Sequence, residues 1–498
     1  MARKAKVTRR TFNQSDLISR SIKGRYDAAQ RSTENANLWS NVDGLSAAAA
    51  NNPSVRKVIR DRARYEIANN SYAAGIVKTL ANDVVGPVIQ IQLGNGEKQQ
   101  VAELDFQAWA KAAELFAKLR TARKAKCQDG EAFAQLFTNP KIKNEIKLDV
   151  KLLECDQIEG FYTGKADEVD GVKLDSYGNP IAYRVLKEHP GDYRFSAFGK
   201  TGGDWVARKF MLHYFDSDRP GQIRGVSEIT SSLSLFGLLR KYTIAVTETA
   251  TRAAEISGVL TTSLLPEGDS AVTFAEPSIT MEFGRNCMVS TPEGWDLKQL
   301  KAEQPTTQYK DFKAEIITEV ARPLNMPANV ARGDSSGYNY ASGRLDFQTY
   351  DRSIEVDREG LERDMLNRIY DNWLAEYKAR KALSKEDVLA ISNPQWYYSG
   401  RGHVDPEKEA KADNVRLQNG TLTKGDYWAS QGEDSKRKEK QRIDEMISGE
   451  VMWNEARAAA KLPPAPYPYA APAENPATVA PPEPDEDDNN QNGDNDDE

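Results

Sequence analysis

The chain has 498 residues, enough for roughly two to four domains. It carries 67 Lys+Arg against 74 Asp+Glu, a formal net charge of -7, and 39% hydrophobic residues. No run of about 18 apolar residues is present, which argues against an integral membrane protein. The basic N-terminus is followed by no apolar h-region, so no secretory signal is expected. Cys127, Cys155 and Cys287 are odd in number and widely spaced. That pattern does not suit a disulfide framework and fits a reducing compartment, with the three as ordinary buried thiols.

The charge is unevenly spread. Residues 471–498 hold ten acidic and no basic residues, so the other 470 carry +3. Residues 1–31 hold nine basic and two acidic residues. The body is therefore near neutral, between a basic arm and an acidic tail. The arm (Arg3, Lys4, Lys6, Arg9, Arg10) has little aromatic interleaving, so base stacking is not indicated; it reads as a solvated arm or one that touches an acidic partner. The tail opens on Pro463-Pro464-Ala465-Pro466-Tyr467-Pro468 and ends in Asp/Asn repeats. It is expected to be disordered, either a solubilising tail or a segment that docks on a partner or repels DNA.

Along the chain, residues 51–80 read as helix, with Pro53 near the start and Asn69-Asn70-Ser71 as a break. Gly86-Pro87 stops it. Residues 88–93 alternate as a strand, with Ile89, Ile91 and Leu93 on one face. Residues 102–123 form an amphipathic helix carrying Trp109, Leu115, Phe116 and Leu119. From 130 to 213 the text is strand-like, at 132–137, 146–153, 181–186 and 210–214, with Ser176-Tyr177-Gly178-Asn179-Pro180 as a turn. Residues 225–257 predict a long helix, ended by Gly258. Short strands and turns occupy 259–300. Residues 306–322 are helical again up to Pro323. Residues 326–343 form a Gly/Ser/Asn-rich loop, and 344–381 a second long helix. Gln395-Trp396-Tyr397-Tyr398 is a strand. Residues 405–452 are charged and helical, with Thr423 and Asp434 as caps.

The usual catalytic signatures are missing. Gly199-Lys200-Thr201 lacks the glycine five residues earlier that a phosphate loop needs, the position being Arg194. No GxGxxG, GxSxG or kinase set occurs. The histidines (His189, His213, His403) are far apart, and no HExxH, CxxC or Cys/His cluster exists, so a structural zinc is not expected. Carboxylate pairs sit on charged helices, where they read as solvated faces. A nuclease using Asp/Glu and magnesium stays open as an alternative, although no spacing selects its ligands.

Several segments, in order, resemble the lambda-type bacteriophage portal proteins. They are Asn69-Asn70-Ser71-Tyr72-Ala73-Ala74-Gly75-Ile76-Val77, Asp129-Gly130-Glu131-Ala132-Phe133, Leu152-Leu153-Glu154-Cys155-Asp156-Gln157-Ile158, Gly171-Val172-Lys173-Leu174-Asp175, Gly178-Asn179-Pro180-Ile181-Ala182-Tyr183 and His189-Pro190-Gly191. Then come His213, Arg219-Pro220-Gly221-Gln222-Ile223-Arg224-Gly225-Val226, Gly333-Asp334, Asn339-Tyr340-Ala341-Ser342-Gly343-Arg344 and Asp405-Pro406-Glu407-Lys408-Glu409-Ala410. The blocks run from about residue 50 to 445. The family's loop usually reads Asn-Tyr-Ser-Ser; here Ala341 replaces a serine.

The resemblance implies an α+β portal fold. Its parts are an α/β wing, a two-helix stem flanking a small α/β clip, a long wing helix, a helical crown and a disordered C-terminal tail. By analogy these map to a basic flexible arm (1–49), wing (50–225), first stem helix (226–257), clip (258–303), second stem helix (304–325), tunnel loop (326–344), long wing helix and return (345–398), crown (399–462) and acidic tail (463–498). The implied function is a homo-oligomeric ring, commonly of twelve subunits, at one capsid vertex. Double-stranded DNA is packaged and ejected through its channel. The implied partners are that DNA, the terminase large subunit, the major capsid or scaffolding protein, and head-completion, adaptor and tail proteins. No membrane, cofactor, metal or catalytic activity is implied, and the location is the virion after assembly in the host cytoplasm. Another ring-shaped capsid adaptor is a further alternative.

A channel that lets DNA slide should avoid dense Lys/Arg, because fixed phosphate contacts bind tightly. The loop fits: Arg332 and Arg344 are its basic residues, with Asp334, Ser335, Ser336, Tyr338 and Asn339 expected to face the duplex. Arg219, Gln222 and Arg224 are candidate inter-subunit contacts, or else a turn packed inside one subunit. Met288 and Trp295 are candidate partner anchors in the clip, or that module's own core. His213 is expected to be a satisfied structural histidine.

Overall fold

The computed structural model describes residues 44–94, 96–158, 165, 167–192, 202–254, 258–262, 295–299, 308–336, 340–400 and 406–467. The basic arm, Met288, Tyr338, Asn339 and the tail beyond Tyr467 lie outside the described residues. In chain order the elements are α1 (Pro53–Asn69), α2 (Ser71–Val85), β1 (Ile89–Gln92), α3 (Glu97–Ala112), α4 (Leu115–Asp129), β2 (Glu131–Thr138), β3 (Leu148–Leu153), β4 (Glu168–Val169), β5 (Val172–Leu174), β6 (Pro180–Leu186), β7 (Gly203–Ala207) and β8 (Met211–Phe215). Then follow α5 (Leu233–Ala254), β9 (Gly258–Thr262), β10 (Trp295–Gln299), α6 (Gln308–Ala321), α7 (Ala328–Arg332), α8 (Tyr340–Leu361), α9 (Asn367–Lys381), α10 (Lys385–Ala390), β11 (Gln395–Tyr398), α11 (Pro406–Gln418), α12 (Lys424–Ser430) and α13 (Ser435–Ala459). The α+β class expected from the sequence is what the chain adopts. Contacts divide it into two units: residues 1–84, 121–137 and 149–368, and residues 85–120, 138–148 and 369–498.

In the first unit, Asn52 caps α1 by accepting from the Ser54 and Val55 amides, and Pro53 takes the first helical position, where its missing N–H costs nothing. Asn70 separates α1 from α2, and its Oδ1 accepts from Tyr72 and Ala73. The amphipathicity of α1 is inverted: it buries Arg56, Arg60 and Glu66 and exposes Val55, Val58 and Tyr65. The strands form a three-stranded sheet in the order β3-β2-β8 and a four-stranded sheet in the order β4-β5-β6-β7. Phe133, Leu153, Cys155, Ile158, Val172, Tyr183, Val185 and Met211, drawn from both sheets and their connections, make one apolar cluster. Two tyrosine contacts bind the helices α5 and α6: Tyr242 lies 5.0 Å from Phe312 and 5.7 Å from Tyr309 between ring centroids. The short strands β9 and β10 pair antiparallel, Trp295 opposite Thr262. Arg358 of α8 donates to the carbonyls of Asp83 and Val84, so a cation satisfies the last turn of α2.

Two expectations in this unit are corrected. The helix expected from residue 225 begins at Leu233, after a single 3-10 turn over Thr230–Ser232. The stretch before it is held by the end of α4 instead: the Glu228 amide and the Ser227 hydroxyl both donate to the Cys127 carbonyl. The loop expected over 326–343 contains the short α7, closed by Gly333 in the left-handed region at φ 65°. The long helix after it is present and continues from α8 to α9 through one π turn, Glu362–Leu366.

The second unit pairs β1 with β11 antiparallel, Ile89 opposite Tyr398. Phe106 is ringed by Trp109, Tyr370, Trp373 and Trp396 at centroid distances of 5.3–5.7 Å. Two of these rings have their polar ends satisfied, Trp109 Nε1 donating to the Leu148 carbonyl and Tyr370 Oη to that of Ile391, whereas the buried Trp373 Nε1 has no hydrogen-bond partner among the described residues. The helix expected at 102–123 breaks at Glu114, whose φ of 53° separates α3 from α4. Thr423 and Asp434 cap α12 and α13 as the sequence suggested. No described helix is long and apolar enough to cross a membrane.

Candidate functional site

The blocks that are scattered in sequence meet in the first unit. Every fourth residue of the inner face of α1 is an arginine that reaches an aspartate of a different block. Arg56 pairs with Asp170 at 2.5 Å, Arg60 with Asp156 at 2.9 Å, and Arg64 with Asp129 and Asp156 at 2.8 Å each. The inward charges of α1 are therefore matched, which is what makes its inverted packing affordable.

Glu131 is the centre of this junction and is fully buried. Its Oε1 accepts from Arg224 Nη2 at 2.7 Å and Nε at 3.0 Å. Its Oε2 accepts from Arg224 Nε at 2.9 Å, His213 Nε2 at 3.0 Å and the Gly225 amide at 3.0 Å. Burial pushes the Glu131 carboxyl up, but the Arg224 charge and the bonds from His213 and Arg224 outweigh it and hold the group well below its usual range. Burial also lowers the His213 imidazole, against the pull of Glu131. His213 stacks between Phe133 and Phe215 at 4.2 Å from each, the satisfied structural histidine expected. The Cys155 thiol donates to the Glu131 carbonyl at 3.0 Å, and burial raises both the Cys155 and Cys127 thiols. Both cysteines are buried and free, as expected.

Two glycines allow this convergence. A Cβ on Gly225 would lie 2.0 Å from the Gly130 carbonyl oxygen, and one on Gly130 would lie 2.3 Å from the Val226 carbonyl carbon. Gly130 also has φ 89°. Only glycine permits backbones to approach this closely.

The turn at 219–224 is spent largely inside its own chain. Pro220 and Gly221 (φ 79°) make a tight turn closed by the Gln222 amide on the Arg219 carbonyl. The Gln222 side chain accepts from the Asp218 and Arg219 amides and donates to the Arg224 carbonyl. Arg224 is 3% exposed. Arg224 and Gln222 thus fit the packed-turn alternative: within the chain their polar atoms brace the turn and neutralise Glu131. Arg219 is exposed, and its guanidinium donates to the Leu45 carbonyl.

Beside the junction lies a cleft of about 620 Å³, bordered by the ends of α4 and α8 and the 226–231 segment. The carboxylates of Asp216, Glu228 and Asp357 approach one another closely enough to hold a cation. The buried Lys126 ammonium lies among them, at 2.6 Å, 3.5 Å and 3.0 Å, and Arg123 adds bonds of 2.9 Å to Glu228 and 2.7 Å to Asp357. Burial opposes the charge on Lys126, yet Tyr214, Glu228 and Asp357 raise its pKa above the ordinary lysine range. Glu154, Asp156 and His189 form a second cluster. There the Gly191 amide donates to His189 Nδ1 at 3.0 Å, and His189 Nε2 lies 3.3 Å from Glu154 and 3.7 Å from Asp156.

The residues expected in the channel flank the gap between α7 and α8. Asp334, Ser335, Ser336 and Arg344 are exposed, and Arg332 is half-buried with its Nε on the Ala328 carbonyl. Asp334 accepts from the Ser336 amide at 2.9 Å, and its bonds with Ser336 keep its pKa low. Trp295 opens β10. The arginine ladder of α1 and the buried Lys126 went unnoticed in the sequence; the four-residue spacing of Arg56, Arg60 and Arg64 was the available signal.

Compared with known proteins, residues 35–358 match the family model described as phage portal protein, lambda family. A protein of Halomonas phage phiHAP-1 described as a probable portal protein is 22% identical over 409 residues, covering 76% of this chain and 78% of the relative. Among solved structures, a chain of the virion of a native gene transfer agent particle is 13% identical, with 82% of this chain and 94% of that one covered at a TM-score of 0.39. An HK97 family phage portal protein from Corynebacterium diphtheriae is 12% identical, with 61% and 88% covered at 0.32. The family model spans well over half of the residues, including every block that meets at the Glu131 junction: the chain belongs to the lambda family of phage portal proteins.

Proposed function

We propose that the chain is the subunit of a homo-oligomeric ring, commonly of twelve copies, that occupies one capsid vertex and conducts double-stranded DNA during packaging and ejection. The observation that carries this reading is the family match over residues 35–358. In support of it, two helices, α5 and α6, bracket the antiparallel strand pair β9 and β10, the helix–module–helix order that suits a stem with a clip at its end. In this reading the first unit supplies most of the wing and stem, residues 258–303 the clip, residues 326–344 the tunnel loop and residues 399–462 the crown. The loop's exposed Asp334, Ser335 and Ser336 suit a surface that DNA passes without being gripped. The ring would dock the terminase large subunit during filling, then head-completion and tail proteins, within the virion, and would do so without catalysis of its own. A ring needs head-to-tail interfaces that close by rotation, and Arg219 is a candidate contact there. Negative-stain images of the purified protein test the proposal. Annular particles with an axial opening wider than a duplex, roughly 20 Å, are expected; solid or monomeric particles would overturn it.

A further inference from the structure

The last helix, α13, has three sides of different character. Of its 25 residues Gly449 alone is buried. One side is covered from within the chain. Lys461 adopts the left-handed region at φ 55°, and the Leu462 amide donates to the Arg457 carbonyl, so the chain turns back along the helix. The Ala465 amide then donates to Asn454 Oδ1 at 3.2 Å. The Tyr467 ring lies 6.5 Å from Trp453 and packs on Gly449, where a Cβ would come within 2.8 Å of it. Toward the start of the helix α12 covers the same side: the Lys438 ammonium lies 6.0 Å from the Trp428 ring centre, and Lys424 pairs with Glu439 at 2.9 Å.

The rest of the circumference is exposed. At about 100° per residue it resolves into two lines, roughly 120° from each other and from the covered side. The first line is Lys436, Lys440, Ile443, Ile447 and Val451, two lysines with no acid. Its three apolar side chains are exposed, and neither lysine has an ion-pair partner among the described residues. The second line is Gln441, Glu445, Ser448, Met452 and Glu455, two acids with no base. Met452 is exposed, and Glu445 accepts from Gln441 at 2.7 Å. Arg437, at the edge of this line, is already paired with Glu433. Asp444 and Glu450 fall between the lines.

Neither line complements itself, and each complements the other: lysine meets glutamate, and isoleucine meets methionine. A foreign helix would need one line. Two unlike, matching lines on one helix join identical copies head to tail, the kind of contact that closes a ring. We propose that α13 packs in parallel beside the α13 of a second copy, the first line of one against the second line of the other. A shift of about five residues, roughly 7.5 Å along the axis, sets Lys440 beside Glu445, Ile443 beside Ser448 and Ile447 beside Met452. The proposal rests on the ring reading and gives that ring a named subunit contact.

Disulfide trapping in the full-length protein tests it. The double variant Ile447→Cys with Met452→Cys, oxidised and run without reductant, should give a ladder of multimers rising one subunit at a time. The two positions lie too far apart on one helix to bridge within a copy. Each single variant should run as the parent does. Charge supplies the second arm. Adding Lys440→Glu to the double variant should lower the ladder yield several-fold at about 50 mM salt, and adding Glu445→Lys as well should restore it. Annular particles that give no ladder would overturn this contact and leave the ring standing; monomeric particles would overturn both. A cross-linked dimer from either single variant would show a line meeting itself, and a loss that the charge swap fails to rescue would remove the Lys440–Glu445 pairing; either result overturns the proposal.

Discussion

Replacing Arg224 by Met removes the countercharge of a fully buried carboxylate while roughly keeping side-chain length. Glu131 loses three of its five hydrogen bonds, those at 2.7, 2.9 and 3.0 Å from the guanidinium, and keeps the His213 and Gly225 donors. The Asp170 carbonyl loses the Arg224 Nη1 bond of 2.7 Å as well. Breaking a buried pair from one side costs about 3–5 kcal/mol, a large share of the roughly 5–15 kcal/mol that holds a domain together. The pH dependence identifies the cause. In the parent protein the Glu131 carboxyl titrates below its unfolded value, so its stabilisation is present above about pH 4.3 and is lost as the pH falls through the folded value. In the variant, burial acts without Arg224, and the Glu131–His213 pair takes up a proton on folding. Stability then falls as pH rises, so the deficit relative to the parent is smaller near pH 5.5 than near pH 7.5. Urea unfolding followed by circular dichroism at both pH values measures it. A deficit below about 1 kcal/mol, or one equal at the two pH values, would refute the account of Glu131 as a charge held by Arg224.

Gly225→Ala places a methyl 2.0 Å from the Gly130 carbonyl oxygen; soluble yield should collapse, and a variant with the parent's melting temperature would contradict the close approach. Trp373→Ala opens the aromatic cluster around Phe106 and should cost about 3–5 kcal/mol in the same unfolding assay. Gly449→Ala should lift the Tyr467 ring, and trypsin should then cut after Lys461 several-fold faster than in the parent. Deleting residues 334–340 should leave annular particles intact and impair DNA packaging or retention; normal packaging and retention would count against a channel role for that loop.

Much of the local structure was legible because capping and turn chemistry is local. Pro53, Asn70, Thr423 and Asp434 mark helix ends by bonds made within three residues, and the periodicity from 344 to 381 describes one apolar stripe. What escaped was non-local. Nothing near Arg56 or Arg60 in sequence says that Asp170 and Asp156 will be waiting, so the sequence shows that α1 is a helix but not that its arginines face inward. The partner of β1 lies some 300 residues on, at Gln395–Tyr398. The run from Gly225 kept a helical period, but the backbone crossing at Gly130 holds it out of a helix until Leu233. The Asp-Gly-Glu and Arg-Gly blocks were visible as motifs; that they contact each other was not. The place of Arg224, at a subunit contact or in a packed turn, stayed open for the same reason: its burial depends on a glutamate 93 positions away.

Lys126 has a further consequence for how the chain meets its surroundings. The three acids of that cleft face two cations bonded to the chain itself, the Lys126 ammonium and the Arg123 guanidinium. A counter-ion tethered in this way cannot be dialysed out, chelated or exchanged. Its presence is fixed at translation, so the electrostatic balance of this cleft should hold equally in calcium-rich and calcium-poor media.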